Sequence, residues 1–156
     1  MGVMKLQNGI TGFWTPGQDI PPPEIDLTRL QRLVSTLNDS GEYVLVGLAD
    51  EQQSQNYVRY QFINAEGNQR FDMLVNVHYP VYCGVAENSS WMNLTFLELS
   101  EHFRSYFEPE FQYLNPEYLS TSFSQSDLSE LNRTEVEQIK YWKSKTFGDI
   151  VFNGYD

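Results

Sequence analysis

The sequence predicts an α+β fold: an antiparallel sheet of four to six strands, one N-terminal helix packed on a face, and C-terminal helices followed by a docked tail. Residues 71–85 place an apolar side chain at every odd position, which is the period-two alternation of a strand with one buried side. Residues 27–38 instead repeat their apolar residues at the helical period. The even positions of 71–85 are mostly polar, so we expect that side not to be packed.

The length of 156 residues predicts a single domain with three parts. Residues 1–25 form an extended, proline-rich arm, because four prolines between positions 16 and 23 forbid regular structure. Residues 26–97 form the helix and sheet core. Residues 98–156 form an acidic helical region and a tail.

The helix over 27–38 has signals at both of its ends. Asp26 is placed to cap the N-terminus, and Gly41 is placed to end the helix. One face carries the apolar residues Leu27, Leu30, Leu33, Val34 and Leu37.

Three strand predictions follow the helix. Residues 42–49 are apolar on both sides, which is typical of a strand covered on both faces. Residues 56–64 alternate, with Arg59 and Gln61 predicted to point outward, and the turn before residue 70 predicts an antiparallel hairpin. Pro80 cannot donate to a ladder, so we expect the long strand to bend there.

The C-terminal half predicts short helices. Residues 91–97 fit either a strand or a helix start capped by Thr95, and residues 99–107 have helical spacing. Two further capping patterns, Asp127 with Glu130 and Thr134 with Glu137, predict a short turn and then a helix to about residue 142. The apolar tail from 147 to 155 is predicted to dock on the body.

Negative charge is concentrated in one stretch of the chain. The net charge is −11, and residues 98–137 hold nine acidic residues against two arginines. Such a surface disfavours nucleic acid and membranes, and it attracts a basic protein partner. The candidate partner-binding residues, carboxylates interleaved with aromatic rings, are Glu108, Glu110, Tyr113, Glu117 and Tyr118. The alternatives are that the rings cover one end of the sheet, that the charge only keeps the protein in solution, or that the carboxylates mimic nucleic acid.

No catalytic or metal-binding motif is present in the sequence. The predicted protein is therefore not an enzyme and needs no cofactor or metal. An alternative is a small-molecule pocket on the face of His78, lined by Asn76, His78 and Tyr82. Cys83 belongs to the apolar set and is expected to be buried. A single cysteine and no secretory pattern favour a cytoplasmic protein.

Two stretches carry a resemblance, residues 6–14 (LQNGITGFW) and residues 137–153 (EQIKYWKSKTFGDIVFN). They resemble the ends of small, uncharacterised bacterial cytoplasmic proteins. In size, acidity and α+β pattern the chain is also similar to immunity proteins of bacterial toxin systems, which neutralise a toxin domain by blocking it. This resemblance implies a non-enzymatic protein that binds a basic partner, and it assigns no site residue.

Overall fold

A six-stranded sheet lies at the centre of the computed structural model, which describes residues 4–48, 55–87, 89–90 and 92–155. The first five strands are antiparallel neighbours in chain order, and the sixth pairs in parallel with the fourth. The strands are β1 (Tyr43–Leu48), β2 (Tyr57–Asn64), β3 (Gln69–Asn76), β4 (Val81–Val85), β5 (Phe96–Leu97) and β6 (Gln112–Tyr113). The predicted α+β class with an antiparallel sheet is confirmed.

Five α-helices and one 3-10 turn accompany the sheet in the described residues. They are α1 (Leu27–Asp39), α2 (Glu101–Ser105), α3 (Pro116–Leu119), the 3-10 turn (Gln125–Leu128), α4 (Arg133–Trp142) and α5 (Phe147–Val151). The predicted signals of α1 are confirmed: the side chain of Asp26 accepts a hydrogen bond from the backbone of Arg29, and Gly41 has a φ of 79°. None of the helices in these ranges is long and apolar enough to cross a membrane.

The central strands β2, β3 and β4 are covered on both faces. On one face, α1 and α2 bury the apolar side chains Leu30, Val34, Leu37 and Phe103 against β2 and β3. On the other face, N-terminal residues such as Leu6 and Ile10 pack with α4, α5 and the tail. Each large apolar side chain buried in this way contributes about 1.5–3 kcal/mol.

The predicted long strand is divided by a turn at residues 77–80, so the expected bend at Pro80 is confirmed. Two other expectations are wrong. Val75 pairs with Tyr82 and Leu74 with Cys83, so the turn exchanges odd and even positions between the two faces. The even side of β3 is buried as well, because the N-terminal residues and the tail cover it.

Strand β1 lies at the edge of the sheet, and its predicted burial on both faces is wrong. Val44, Val46 and Leu48 are exposed. Among the described residues, β2 is the one strand that pairs with β1. A bulge between Leu45 and Gly47 interrupts the ladder. The backbone N–H of Leu45 donates to the Asn38 side chain at 2.9 Å. These features blunt an edge that would otherwise pair with another strand.

The predicted β2–β3 hairpin is confirmed, although Arg59 does not point to solvent. Arg59 is buried and its Nε lies 2.5 Å from Oδ2 of Asp72, which is also buried. The outward prediction fails because this face of the sheet is covered. In the turn, Asn68 has the positive φ of 53°, and Gly67 does not.

The predicted helical segments near residues 99–107, 127–130 and 134–142 form, with different caps, whereas α3 and α5 were not predicted. Ser100 caps α2 in place of Thr95, and residues 96–97 form the short strand β5. Asn132 and Glu135 form the capping box of α4, two residues before the predicted pair. Likewise, Asp127 caps the 3-10 turn from inside it, together with Ser124. The docked tail is confirmed, since residues 150–155 are buried.

Candidate functional site

The nine carboxylates of residues 98–137 fall into two groups. Five of them already have a partner. Glu110, Glu130 and Glu137 form ion pairs with a basic side chain. Asp127 and Glu135 belong to capping boxes. The other four are exposed, and within the described ranges none of them has a cationic partner. These four, called the free carboxylates below, are Glu98, Glu101, Glu108 and Glu117.

Glu110 forms an ion pair with Arg29 of α1. Its Oε1 accepts from Nε of Arg29 at 2.7 Å, and its Oε2 accepts from Nη2 at 2.6 Å. These hydrogen bonds lower the pKa of Glu110 and raise the pKa of Arg29. The planar guanidinium matches both carboxylate oxygens, so the pair ties residue 110 to α1. Glu110 is therefore already neutralised, unlike its neighbour Glu108.

The two predicted partner-binding tyrosines pack within the fold. Tyr113 is half-buried; its hydroxyl oxygen accepts from the backbone N–H of Leu99 at 3.0 Å, and the guanidinium of Arg104 lies 4.7 Å from its ring centre. Burial raises the pKa of Tyr113. This arrangement matches the alternative in which the rings cover the sheet and the carboxylates face water.

Tyr118 is anchored in the same manner. Its hydroxyl donates to the carbonyl oxygen of Met4 at 3.0 Å, and its ring stacks on Phe147 with the centroids 4.7 Å apart. Burial raises the pKa of this hydroxyl. Tyr118 thus links α3 to α5 and to the N-terminal residues. The neighbouring residue Glu117 is exposed.

The three residues of the alternative pocket are not brought together. Asn76 is buried on the tail side, where its amide donates to the carbonyls of Ile10 and Val151. Tyr82 is buried on the opposite face, with its ring 5.3 Å from that of Phe107. Burial raises the pKa of Tyr82. His78, in the turn between β3 and β4, lies beside a cavity.

The cavity beside His78, called the His78 cavity below, has a volume of about 360 Å³. Nδ1 of His78 lies 2.8 Å from the carbonyl oxygen of Pro23, which fixes the ring against the proline-rich arm. The walls are mostly apolar, and the bidentate Arg29–Glu110 pair lies among them. The further lining residues are Glu24, Ile25, Asp26, Tyr79, Pro80 and Phe111.

A larger groove lies at the turn end of the β2–β3 hairpin. This hairpin groove has a volume of about 770 Å³ and is lined by residues 64 and 68–71 of the hairpin, by residues 97–100, and by Tyr43, Glu87 and Phe103. No pattern in the sequence predicted this groove. These segments are scattered along the chain, and no local pattern connects them.

Cys83 lies in the core, away from solvent. Cys83 is buried against the N-terminal residues and the tail, and burial raises the pKa of its thiol well above the usual value. Among the described residues, no group of three or more His, Cys, Asp or Glu side chains is placed to hold a metal ion. The surface features that remain as candidate sites are the exposed carboxylates, the His78 cavity and the hairpin groove.

These features define an α+β protein with an acidic surface and a groove at one end of its sheet. Comparison with protein-family models, with curated proteins and with solved structures finds no significant match to the chain.

Proposed function

We propose that this protein is a cytoplasmic interaction protein of the immunity type, which binds and neutralises a basic protein partner. The observation that supports the proposal is the set of four free carboxylates within residues 98–117. Glu110, Glu130 and Glu137 already form ion pairs within the described chain. The four free carboxylates do not, so they can bind basic groups of another protein.

Two of the four free carboxylates lie on helices. Glu101 lies in the first turn of α2, whose N-terminus is capped by Ser100, and Glu117 lies in the first turn of α3, capped by Asn115. Fixed charges lose little conformational freedom on binding and steer a partner of opposite charge. The aromatic residues Phe103, Phe107 and Phe111, which lie between Glu101 and Glu117 in the chain, are buried in the core.

Reversing the charge of two free carboxylates tests this proposal. The variant Glu108→Lys/Glu117→Lys and the control Glu24→Lys/Asp39→Lys change the net charge equally, and the control sites are exposed and lie outside residues 98–137. Each protein is immobilised and incubated with a lysate of the cells that naturally carry the gene. The retained proteins are identified by mass spectrometry.

We expect the wild type and the control to retain one basic protein, and the Glu108→Lys/Glu117→Lys variant to lose it by about tenfold or more. Toxin activity of the retained protein should be inhibited by the wild type in equimolar amount. Retention of the same proteins by all three chains, or of no basic protein by any, would overturn the proposal.

A second candidate function is the binding of a small molecule in the His78 cavity. Its volume of about 360 Å³ falls within the usual range for such sites. A metabolite that raises the melting temperature of the wild type, but not of His78→Ala, would support it. The Glu24→Ala variant serves as a second probe, because this exposed residue lines the same cavity. If no metabolite separates these variants from the wild type, this candidate fails.

A further inference from the structure

The hairpin groove contains an open strand edge. Strand β4 ends at Val85, opposite Asp72, whereas β3 begins three residues earlier, at Gln69. Residues 69–71 therefore pair with β2 on one side and, within the described part of the chain, with no strand on the other. Sheet edges of this kind present backbone donors and acceptors to an added strand.

The direction of these backbone groups follows from the pairing. The N–H of Val77 donates to the carbonyl of Asn56, so the odd-numbered residues of β3 direct their backbone groups toward β2. The even-numbered residues direct theirs toward β4, as the pairing of Asp72 with Val85 requires. The N–H and C=O of Arg70 accordingly point toward the groove.

The floor of the hairpin groove is aromatic. Phe71 is half-buried and makes edge contacts with Tyr43 and Phe103, with ring centres 6.2 and 5.3 Å away. Leu97 and Leu99 also line the groove. An added strand would direct alternate side chains onto these rings. Apolar side chains would pack against them, and a guanidinium could lie over a ring face.

The charges in the groove favour a basic occupant. Two carboxylates, Glu87 and Glu98, line it against one guanidinium, that of Arg70, and within the described residues these three side chains form no ion pair. Glu98 is also one of the four free carboxylates. The groove and the acidic surface are thus continuous through this residue.

We infer that the hairpin groove receives an extended, basic segment of the partner, which adds as a short strand beside residues 69–71 of β3. The inference rests on the proposed function, because it specifies how the basic partner is recognised. The backbone of Arg70 pairs with the segment, Phe71 supports its apolar or guanidinium side chains, and Glu87 and Glu98 neutralise its basic side chains.

Three terminally blocked hexapeptides serve as probes. The first alternates threonine and arginine, the second alternates threonine and glutamate, and the third repeats the first with N-methylated peptide bonds. Each is titrated into the full chain labelled with ¹⁵N, and amide shifts are followed. We expect the first peptide to shift the amides of residues 69–71, 87 and 97–100 and to bind at least about tenfold more tightly than the other two.

Two double variants locate the interaction. Glu87→Lys/Glu98→Lys should weaken binding of the threonine–arginine peptide by about tenfold or more. The control Asp39→Lys/Glu137→Lys, at two exposed residues that line neither the hairpin groove nor the His78 cavity, should leave it within about twofold. Amide spectra of the free variants verify that each is folded. If Glu87→Lys/Glu98→Lys is unfolded, the wild type still tests the inference. Its binding of the threonine–arginine peptide is then compared with that of the N-methylated peptide, which lacks the backbone N–H donors of an added strand.

The outcomes separate this inference from the proposed function. Equal binding of the three peptides, or shifts outside the groove, would overturn the groove assignment, even where Glu108→Lys/Glu117→Lys still abolishes capture of a basic protein. A different result would be that only the threonine–arginine peptide shifts the amides of the groove residues, while no basic protein is captured from the lysate. The groove would then be a site for basic peptides, and the immunity function would be overturned. Binding of a sugar or nucleotide in place of peptide would also contradict the inference.

Discussion

Asn56 and Asn76 donate hydrogen bonds to the same two carbonyl oxygens, those of Ile10 and Val151. The four distances lie between 2.8 and 3.1 Å, and all of the groups are buried. One carbonyl belongs to the N-terminal segment and the other to α5. The two amides therefore attach both ends of the described chain to one place on the sheet.

Removing both amides should cost more than the sum of the single changes. Asn56→Ala and Asn76→Ala each leave one amide to serve both carbonyls, whereas the double variant leaves two buried acceptors unpaired. We expect about 1–3 kcal/mol for each single change and a coupling of about 1 kcal/mol between them. Urea unfolding of the four proteins measures this, and simple additivity would show that the two amides act independently.

Glu135 should be essential for holding the N-terminal segment. Its buried carboxylate accepts hydrogen bonds from the backbone N–H groups of Gly9, Thr11 and Asn132 and from the Thr11 hydroxyl, at 2.6–3.1 Å. Glu135→Gln brings an amide donor against these donors, and we expect a loss of about 2–4 kcal/mol.

A control for this change lies on the same helix. Glu137 is exposed and is paired with Arg133, so Glu137→Gln should cost less than about 0.5 kcal/mol. Denaturant midpoints of the two variants give the comparison. Equal losses would mean that the hydrogen bonds to residues 9–11 contribute little to stability.

The Arg29–Glu110 pair should make stability depend on pH in the acid range. Hydrogen bonds from Arg29 lower the pKa of Glu110 below its usual 4.5. Since the folded pKa is the lower one, the stabilisation is complete above the unfolded value and is lost as the pH falls through the folded value. The difference in unfolding midpoint between the wild type and Glu110→Gln should therefore decrease as the pH falls through the folded pKa of Glu110. Glu108→Gln, at a carboxylate without an arginine partner, should show a smaller difference throughout.

Cys83 should be unreactive in the folded protein. The thiol is buried and its pKa is raised by burial, so little thiolate is present and reagents have no access. Iodoacetamide at about pH 8 should modify it at least about 100-fold more slowly in buffer than in denaturing urea, as followed by mass spectrometry. Comparable rates would place the thiol at the surface.

Helix α1 shows where prediction from sequence succeeds. The cap at Asp26, the apolar spacing of Leu30, Val34 and Leu37, and the stop at Gly41 all act within a few turns of one another. Each signal is local and all of them agree, so no distant contact was needed to predict the helix.

The cap of α4 shows where such prediction fails. Two patterns, Asn132 with Glu135 and Thr134 with Glu137, have the spacing of a capping box, and the sequence does not rank them. The first forms, and the Glu135 side chain is then directed to the N–H groups of residues 9–11, more than 120 positions away. A buried carboxylate was not predicted, because its partners lie so far along the chain.

The sequence by itself determined α1, the β2–β3 hairpin, the bend at Pro80, the apolar tail and the concentration of acidic residues, because each depends on composition or on neighbours along the chain. Only the tertiary structure decided that Glu110 is neutralised by Arg29 while Glu108 is left free, that Asn76 and Tyr82 lie on opposite faces, and that a groove opens beside Arg70. Those outcomes depend on which distant segments cover each face of the sheet, and the docking of these segments is set by packing over the whole molecule.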